Sequence, residues 1–319
     1  MLSVVMNNAL NPALLEIKNI KLLKLLGAGA HGKIYLTDMD NVVIKIYHTK
    51  TENASINMEY TIFKKLIEYA DKNYPPNIVK ALGRGVLVTD IEFENNYHLN
   101  GDQFTLVPLY QKFYDIQKKR RHLQKTSFIV EFITILLKVA VFLEQQLKII
   151  HLDIKTGNLM YDKDKELILI DLGLIENIEH GQEIYIPDKK YYIWPHESCF
   201  LVAIPVYSIA ICVMEFFYGK LKIWQIQSLN DVQLYVKNIS KKSKQLGNIL
   251  SKMISLKYDP STVLKYIEIK YKSDLEIFYK DLDIPDTSIT SAKKSHKKHT
   301  INKWFYNIIQ TPLVKAVEE

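Results

Sequence analysis

The segment His151-Leu152-Asp153-Ile154-Lys155-Thr156-Gly157-Asn158 gives the clearest indication of the fold of this chain of 319 residues. It groups a carboxylate, an amine and a side-chain amide in one short segment. A long apolar run at 128–146 precedes it, and two β-like runs at 159–161 and 167–170 follow it. Because such runs are typical of a buried helix and of short strands, we predict a polar loop between a core helix and a β-pair.

The three polar side chains match the groups that phosphoryl transfer requires. That reaction uses a carboxylate near the attacking hydroxyl, a cation that neutralises charge on the transferred group, and an oxygen ligand for a metal ion. Asp153, Lys155 and Asn158 provide these groups in turn. Since such a grouping can arise by chance in a surface loop, the order of the elements around it strengthens the interpretation.

A second aspartate follows in Ile170-Asp171-Leu172-Gly173, at the end of the second β-like run. A carboxylate at this place can bind the divalent ion that bridges nucleotide phosphates, and Gly173 permits the turn that follows. Asp171 and Asn158 offer hard oxygen atoms, which Mg²⁺ prefers, and no cluster of Cys and His suggests zinc. The sequence therefore predicts a magnesium site formed by these two residues.

A glycine-rich segment, Gly27-Ala28-Gly29-Ala30-His31-Gly32-Lys33-Ile34, lies between two strand candidates. Glycines there let the backbone approach phosphate oxygens and adopt dihedral angles that are closed to other residues. The pattern alone is weak evidence, because the dinucleotide-binding fingerprint has the same spacing. That fingerprint needs a helix next, whereas Ile34-Tyr35-Leu36 favours a strand.

A lysine ends the apolar run Val42-Val43-Ile44-Lys45. It needs an anion, since an unpaired buried ammonium group is costly. Glu59, near the start of the amphipathic helix predicted at 55–69, is the natural partner, and Lys45 held by it can bind nucleotide phosphates. The alternative is a lysine that points to solvent from an edge strand, and the neighbouring glycine-rich segment argues against it.

The two halves of the chain differ in predicted secondary structure. The first half has one helix at 55–69 and strand candidates at 21–26, 33–37, 42–47 and 104–107. The second half has helix candidates at 128–146, 206–218 and 246–256. We therefore predict an α+β fold with two lobes.

The predicted lobes define the domain boundaries. A small, mainly β N-lobe with one helix covers residues 20–109, and a larger, mainly α C-lobe covers 110–282. Residues 1–19 form an N-terminal extension, and residues 283–319 form a basic tail. A hydrophobic content of 48% with 24% charged residues is ordinary for a globular protein with a substantial core.

The formal charge of +7 suits an anionic ligand such as a nucleotide, but it suits nucleic acid or an acidic membrane equally. Basic residues gather at 118–121 and 293–298. Each cluster is interpreted as a nuclear-import signal, a contact to an acidic partner, or simply a solvated surface. Two cysteines and no secretory signal sequence favour a reducing compartment, the cytoplasm or the nucleus.

An apolar run at 199–214 approaches the length of a membrane span. Pro205 and Glu215 interrupt it, and no basic cluster flanks it closely. A central helix that is buried on all sides gives the same pattern. We therefore predict a core helix here and no membrane span.

In this order the motifs resemble the eukaryotic-type protein kinase family, over roughly Ile20 to Leu256. Further parts fit the same order: 76–79 leading a strand, a hinge at 107–110, 194–197 similar to the end of an activation segment, and 206–210 similar to the start of the central helix. Lys155 points to the serine/threonine branch. The divergence of the chain as a whole resembles kinases of large DNA viruses.

The resemblance implies a serine/threonine protein kinase with ATP in the cleft between the lobes and Mg²⁺ as cofactor. Asp153 accepts the proton of the substrate hydroxyl, and Lys155 steadies the γ-phosphate. Asn158 and Asp171 hold the metal. The residues it assigns to nucleotide binding are Leu26, Gly27, Ala28, Gly29, Ala30, His31, Gly32, Lys33, Ile34, Val43, Lys45 and Glu59.

The sequence departs from the family in its regulatory residues. Leu152 stands where the family has an arginine that pairs with a phosphorylated activation loop. Between Asp171 and Glu197 there is no Ser or Thr, and the hydroxyl groups there belong to Tyr185, Tyr191 and Tyr192. Both absences predict activity without Ser/Thr phosphorylation of that loop.

Two further departures concern anchoring. Pro205 stands where the central helix of the family begins with an aspartate that ties down the catalytic loop. Residues 258–262 lack the late arginine that pairs with Glu197 in the family. We therefore expect a catalytic loop that is held by other contacts.

Other functions remain open from sequence alone. One alternative is a small-molecule phosphotransferase of the same fold, against which Lys155 and the pair Pro195 and Glu197 argue. A second is a pseudokinase scaffold, which would not need the retained polar residues. A weak third is a nucleic-acid-binding module, supported only by the basic clusters.

Overall fold

A computed structural model describes most of the chain, and all described residues belong to Met1–Ile277, the first of its two units. The described residues are 2–7, 15–29, 32–47, 59, 61–66, 77–99, 101–112, 125–162, 166–173, 175–177, 183–184, 199–223 and 225–271. Several predicted features lie outside these ranges: Ala30, His31, 118–121, Tyr185, Tyr191, Tyr192, 194–197 and the tail 283–319.

A seven-stranded antiparallel sheet forms the first half of the fold, in the order β2-β1-β6-β9-β5-β4-β3. Its strands are β1 Leu2–Asn7, β2 Leu15–Ile20, β3 Leu22–Gly29, β4 Gly32–Thr37, β5 Val42–Tyr47, β6 Gly83–Leu87 and β9 Gln103–Pro108. A separate hairpin joins β7 Ile91–Phe93 to β8 Asn96–His98. Residues 1–19, which the sequence sets apart as an extension, thus contribute β1 and most of β2.

The core of this half lies under the central strands. Tyr35, Ile44, Ile46 and Phe104 are fully buried there. Apolar β-branched residues favour such a packed, pleated surface, which explains why the run 42–47 forms a central strand. Glu59 and residues 61–66 are helical, as the amphipathic pattern predicts.

Helices dominate the second half, as predicted. They are α1 Thr126–Leu147, α2 Ile204–Tyr218, α3 Lys220–Ile223, α4 Leu229–Lys242, α5 Lys244–Met253 and α6 Pro260–Lys270. Side-chain caps fix where α4 and α6 begin: Ser228 and Asp231 form a capping box, and Asp259 accepts from the backbone N–H of Thr262. The α+β fold with a mainly β half and a mainly α half is confirmed.

Two helices are apolar and long enough to cross a membrane by composition, Thr126–Leu147 and a segment that includes α2, Leu201–Tyr218. In their most apolar windows, 61% and 72% of the residues are buried inside the protein. A helix that is surrounded by other elements of its own domain has this composition. Both therefore have the character of core helices, as predicted for the run 199–214.

Short β-elements lie before and between the first two helices of the second half. They are β10 Gln111–Lys112, β11 Ile149–His151, β12 Leu159–Tyr161, β13 Leu167–Leu169, β14 Ile175–Asn177, β15 Glu183–Ile184 and β16 Cys199–Phe200. Strand β13 also accepts contacts from residues 77–79 of the first half. The backbone N–H of Val79 donates to the Leu169 carbonyl at 2.8 Å, and Asn77 Nδ2 donates to the Leu167 carbonyl at 2.8 Å.

Candidate active site

The polar loop 151–158 lies between β11 and β12, and its last residues, Thr156–Asn158, form one 3₁₀ turn. This turn brings the predicted side chains together. Lys155 Nζ lies 2.6 Å from Asp153 Oδ2, and Asn158 Nδ2 donates to the same oxygen at 3.0 Å. Asp153 and Asn158 are buried, whereas half of the Lys155 side chain is exposed. The loop thus presents one carboxylate with an ammonium group facing solvent beside it.

His151 connects the loop to the segment that carries Asp171. Its Nδ1 accepts from the backbone N–H of Asp153 at 3.0 Å, so its Nε2 carries the proton and donates to the Asp171 carbonyl at 2.5 Å. Burial lowers the pKa of His151, which favours this neutral form. The imidazole therefore fixes the backbone of both aspartates, a role that sequence reasoning missed.

Asn158 and Asp171 have suitable donor atoms for a hard divalent ion. Asn158 Nδ2 donates to both the carbonyl and the carboxylate of Asp153, so Oδ1 is the side-chain atom of Asn158 that could bind a metal ion. The backbone N–H of Ile170 donates to the Asn158 carbonyl at 3.0 Å. This hydrogen bond holds the residue before Asp171 against Asn158. Among the described residues, no group of three or more His, Cys, Asp or Glu could hold a metal. Two oxygen ligands suit Mg²⁺, which keeps waters and phosphate oxygens in its shell.

Lys45 and Glu59 form the predicted ion pair. Lys45 Nζ lies 2.8 and 2.7 Å from the two carboxylate oxygens of Glu59, and Glu59 is only 1% exposed. Strand β5 is paired with β4 on one side and β9 on the other, so the edge-strand alternative for Lys45 is wrong. The lysine side chain remains 17% exposed, which leaves its ammonium group accessible to a further anion.

The glycines of the predicted phosphate-binding segment have different structural roles. A Cβ at Gly27 or Gly29 would meet nothing within 4 Å, so open space lies beside them. A Cβ at Gly32 would overlap the Ile46 carbonyl, so the close approach of β4 to β5 requires this glycine. None of the three has a positive φ. The expectation of special dihedral angles is therefore wrong at these positions, because all three glycines lie in the extended strands β3 and β4.

The other residues assigned to nucleotide binding lie on the same strands. Leu26 and Ala28 on β3 are exposed, Lys33 and Ile34 on β4 are half-buried, and Val43 on β5 is buried. Ala30 and His31 fall outside the described residues.

Helix α2 anchors the polar loop 151–158 through two side-chain contacts. The hydroxyl of Thr156 donates to the Glu215 carboxylate, and the Cys212 thiol donates to the Ile154 carbonyl at 3.7 Å. Burial raises the pKa of Cys212 well above its ordinary value, which keeps the thiol protonated as a donor. Pro205 lies in the first turn of α2, where its missing N–H costs little. The anchoring contacts thus come from later in the helix than the family pattern implies.

The mainly β half, the mainly α half and the polar loop define a two-lobed kinase-like fold. The family model for the protein kinase domain matches residues 20–267. The chain belongs to the protein kinase family.

Two similar relatives are both from Dictyostelium discoideum. A probable serine/threonine-protein kinase, mkcF, is 28% identical over 211 residues, which is 64% of this chain and 28% of that protein. A second, mkcC, is 24% identical over 214 residues, covering 64% of this chain and 22% of that protein. The chain therefore matches about a quarter of the length of these relatives.

Proposed function

We propose that the chain is a catalytically active serine/threonine protein kinase that uses ATP and Mg²⁺. The observation that supports this proposal most directly is that Lys155 and Asn158 both contact the carboxylate of Asp153. A scaffold has no need for this cluster or for a buried glutamate paired with Lys45. Family membership and the names of the two relatives support the same proposal.

The proposed reaction moves the γ-phosphoryl group of ATP to a substrate hydroxyl. Asp153 orients that hydroxyl and accepts its proton as the new oxygen–phosphorus bond forms and the bond to the β-phosphate oxygen breaks. Lys155, with its half-exposed ammonium, stabilises the charge on the transferred group, and Lys45 binds the α- and β-phosphates. Mg²⁺, held by Asn158 and Asp171, supplies charge neutralisation when it is bound.

The proposed enzyme needs no Ser/Thr phosphorylation of the segment between Asp171 and Glu197. That segment contains no Ser or Thr, and Leu152 cannot pair with a phosphate. His151, Cys212 and Thr156 hold the loop by contacts that involve no phosphate. These contacts support a loop that is ordered before any modification.

The test is phosphate transfer from ATP/Mg²⁺ to a generic basic protein and to a panel of amino-alcohols, after Ser/Thr phosphatase treatment of the kinase. The wild type should label the protein, and Asp153→Asn should lower the rate at least ~10²-fold. Lys45→Met should also lower it strongly. Matched controls are Asp40→Asn and Lys24→Met, which change exposed side chains of the same types.

Three results would contradict the proposal. Equal rates for wild type, Asp153→Asn and Lys45→Met would remove the catalytic assignment. Transfer to amino-alcohols alone would indicate a small-molecule phosphotransferase. Activity that appears only after an upstream kinase modifies the chain would remove the regulatory part.

A further inference from the structure

A basic groove lies along α4 and α5, away from the polar loop. Its volume is about 850 Å³. Four exposed lysines surround it, namely Lys237, Lys241, Lys244 and Lys257. The nearly buried side chains of Val236 and Ile254 form an apolar floor. Among the described residues that line the groove, none is acidic or aromatic.

Helical spacing places two of these charges on one face of α4. Lys237 and Lys241 are four residues apart, so they lie one turn apart, and Lys244 begins α5 directly after the break at Ser243. The helix pair beneath them is close-packed, because any side chain at Gly247 would overlap Ser240. The groove is therefore part of a fixed helix pair, and binding would require little rearrangement.

The groove lysines differ from other lysines on the same two helices. Lys242 lies over the ring of Phe217 and Lys252 lies 3.7 Å from the ring centroid of Tyr258, so both are used inside the fold. In the described part of the chain, the side chains of the four groove lysines make no hydrogen bond, ion pair or ring contact. Like charges four residues apart on a helix repel, so Lys237 and Lys241 destabilise α4 slightly unless an anion compensates them.

We propose that this groove binds an acidic segment of a partner polypeptide. Carboxylates of the segment pair with the lysines, and an apolar side chain packs on Val236 and Ile254. A volume of this size fits a few side chains. Single-stranded nucleic acid fits less well, since its binding sites combine basic residues with aromatic rings for base stacking and this groove lining has none. Docking here goes beyond phosphoryl transfer and does not depend on it.

The test is direct binding of a fluorescein-labelled peptide of alternating Glu and Leu to the full chain, measured by fluorescence anisotropy. Lys237→Glu/Lys241→Glu should raise the Kd about tenfold or more, and added salt should weaken wild-type binding. The matched control is Lys21→Glu/Lys24→Glu, which makes the same change in net charge on the first half and should leave the Kd within about twofold. Circular dichroism checks that both double variants are folded.

A second peptide with Ser in place of Leu tests the apolar floor, and it should bind about fivefold more weakly. The proposal fails if neither peptide binds below ~1 mM. It fails if both double variants lose binding equally, which indicates non-specific attraction. It also fails if an oligonucleotide of equal charge binds as tightly as the Glu-Leu peptide and is lost with Lys237→Glu/Lys241→Glu, which indicates a nucleic-acid surface.

Discussion

The candidate active site contains a buried glutamate and helix α1 contains two half-buried ones, and the two regions differ in what stabilises the carboxyl group. In the site, both carboxylate oxygens of Glu59 lie within 2.8 Å of Lys45 Nζ. On α1, Glu144 Oε2 is buried and has no hydrogen-bond partner among the described residues. Burial, and then the charge of Asp259, raise the pKa of Glu144 to about 7, although the charge of Lys148 acts in the opposite direction.

The difference indicates that direct contact with an ammonium group decides which protonation state of a carboxyl group burial favours. A buried carboxylate with an ammonium partner is stable as the ion, and removal of the partner is costly. A buried carboxylate without one favours its protonated form. Glu131 on α1 follows the second pattern, since burial and then the charge of Glu166 raise its pKa to about 7.

The largest expected effect comes from removing the cation of the paired site. Lys45→Met leaves the Glu59 carboxylate without its ammonium partner, and it should lower the free energy of unfolding by about 3 kcal/mol. The double variant Lys45→Met/Glu59→Gln should recover part of this loss, because an amide is less costly to bury than a carboxylate. Urea denaturation at pH 7 measures both. If Lys45→Met lowers the free energy of unfolding no more than Lys24→Met on β3 does, the Glu59 carboxylate does not depend on its ammonium partner.

A smaller effect of opposite sign is expected on α1. The folded-state pKa of Glu144, about 7, exceeds the ordinary glutamate value of 4.5, so between these two pH values the folded state retains a proton that the unfolded state has lost. Stability from this group is therefore present below about pH 4.5 and is lost as pH rises through 7. Glu144→Gln should raise the free energy of unfolding at pH 8 by about 1.5 kcal/mol, after allowance for partial exposure.

The measurement for Glu144 is urea denaturation of wild type and variant at pH 5 and pH 8. The gain should be small at pH 5, where the wild-type carboxyl is protonated. A gain of equal size at both values would show that the charge is not its cause. Gln145→Glu, at the next and also half-buried position of α1, is a useful contrast, because it should not reproduce the gain.

The smallest expected effect concerns the carboxylate of Glu215, which accepts a hydrogen bond from the Thr156 hydroxyl. Glu215→Leu should lower kcat about threefold, because loss of one hydrogen bond loosens the loop that carries Asp153. Glu215→Gln retains an acceptor oxygen and should preserve most of the rate. Steady-state kinetics with varied ATP should show an unchanged KM. Equal losses for both variants would mean that charge, and not the hydrogen bond, matters.

Much of the fold follows from local pattern. Apolar periodicity predicts β5, α1 and α2 closely. The apolar residues that are buried in each of these elements also define its pattern in the sequence. The sequence does not predict the hairpin of β7 and β8. Its turn residues, Glu94 and Asn95, have positive φ angles of 48° and 61°, but no glycine stands there to indicate a turn. Strand β1 was missed because it depends on pairing with β6, about eighty residues away.

The candidate site also has a part that local sequence predicts and a part that it does not. Motif spacing predicts Asp153, Lys155 and Asn158, since one short turn brings them together. The hydrogen bond between Thr156 and Glu215 joins residues that are 59 positions apart, and nothing in the sequence around either residue indicates it. The family pattern indicates that an anchor is missing at Pro205, but only packing of α2 beneath the loop shows which side chains replace it.

The pairing of β1 also has a practical consequence for anyone who trims this protein. The family match begins at residue 20, which invites an expression fragment that starts there. Such a fragment would lose β1 and leave the outer edge of β6 with unpaired backbone groups. An exposed strand edge readily recruits a strand from another molecule. Fragments for crystallisation or screening should therefore retain the first twenty residues, or they will tend to self-associate.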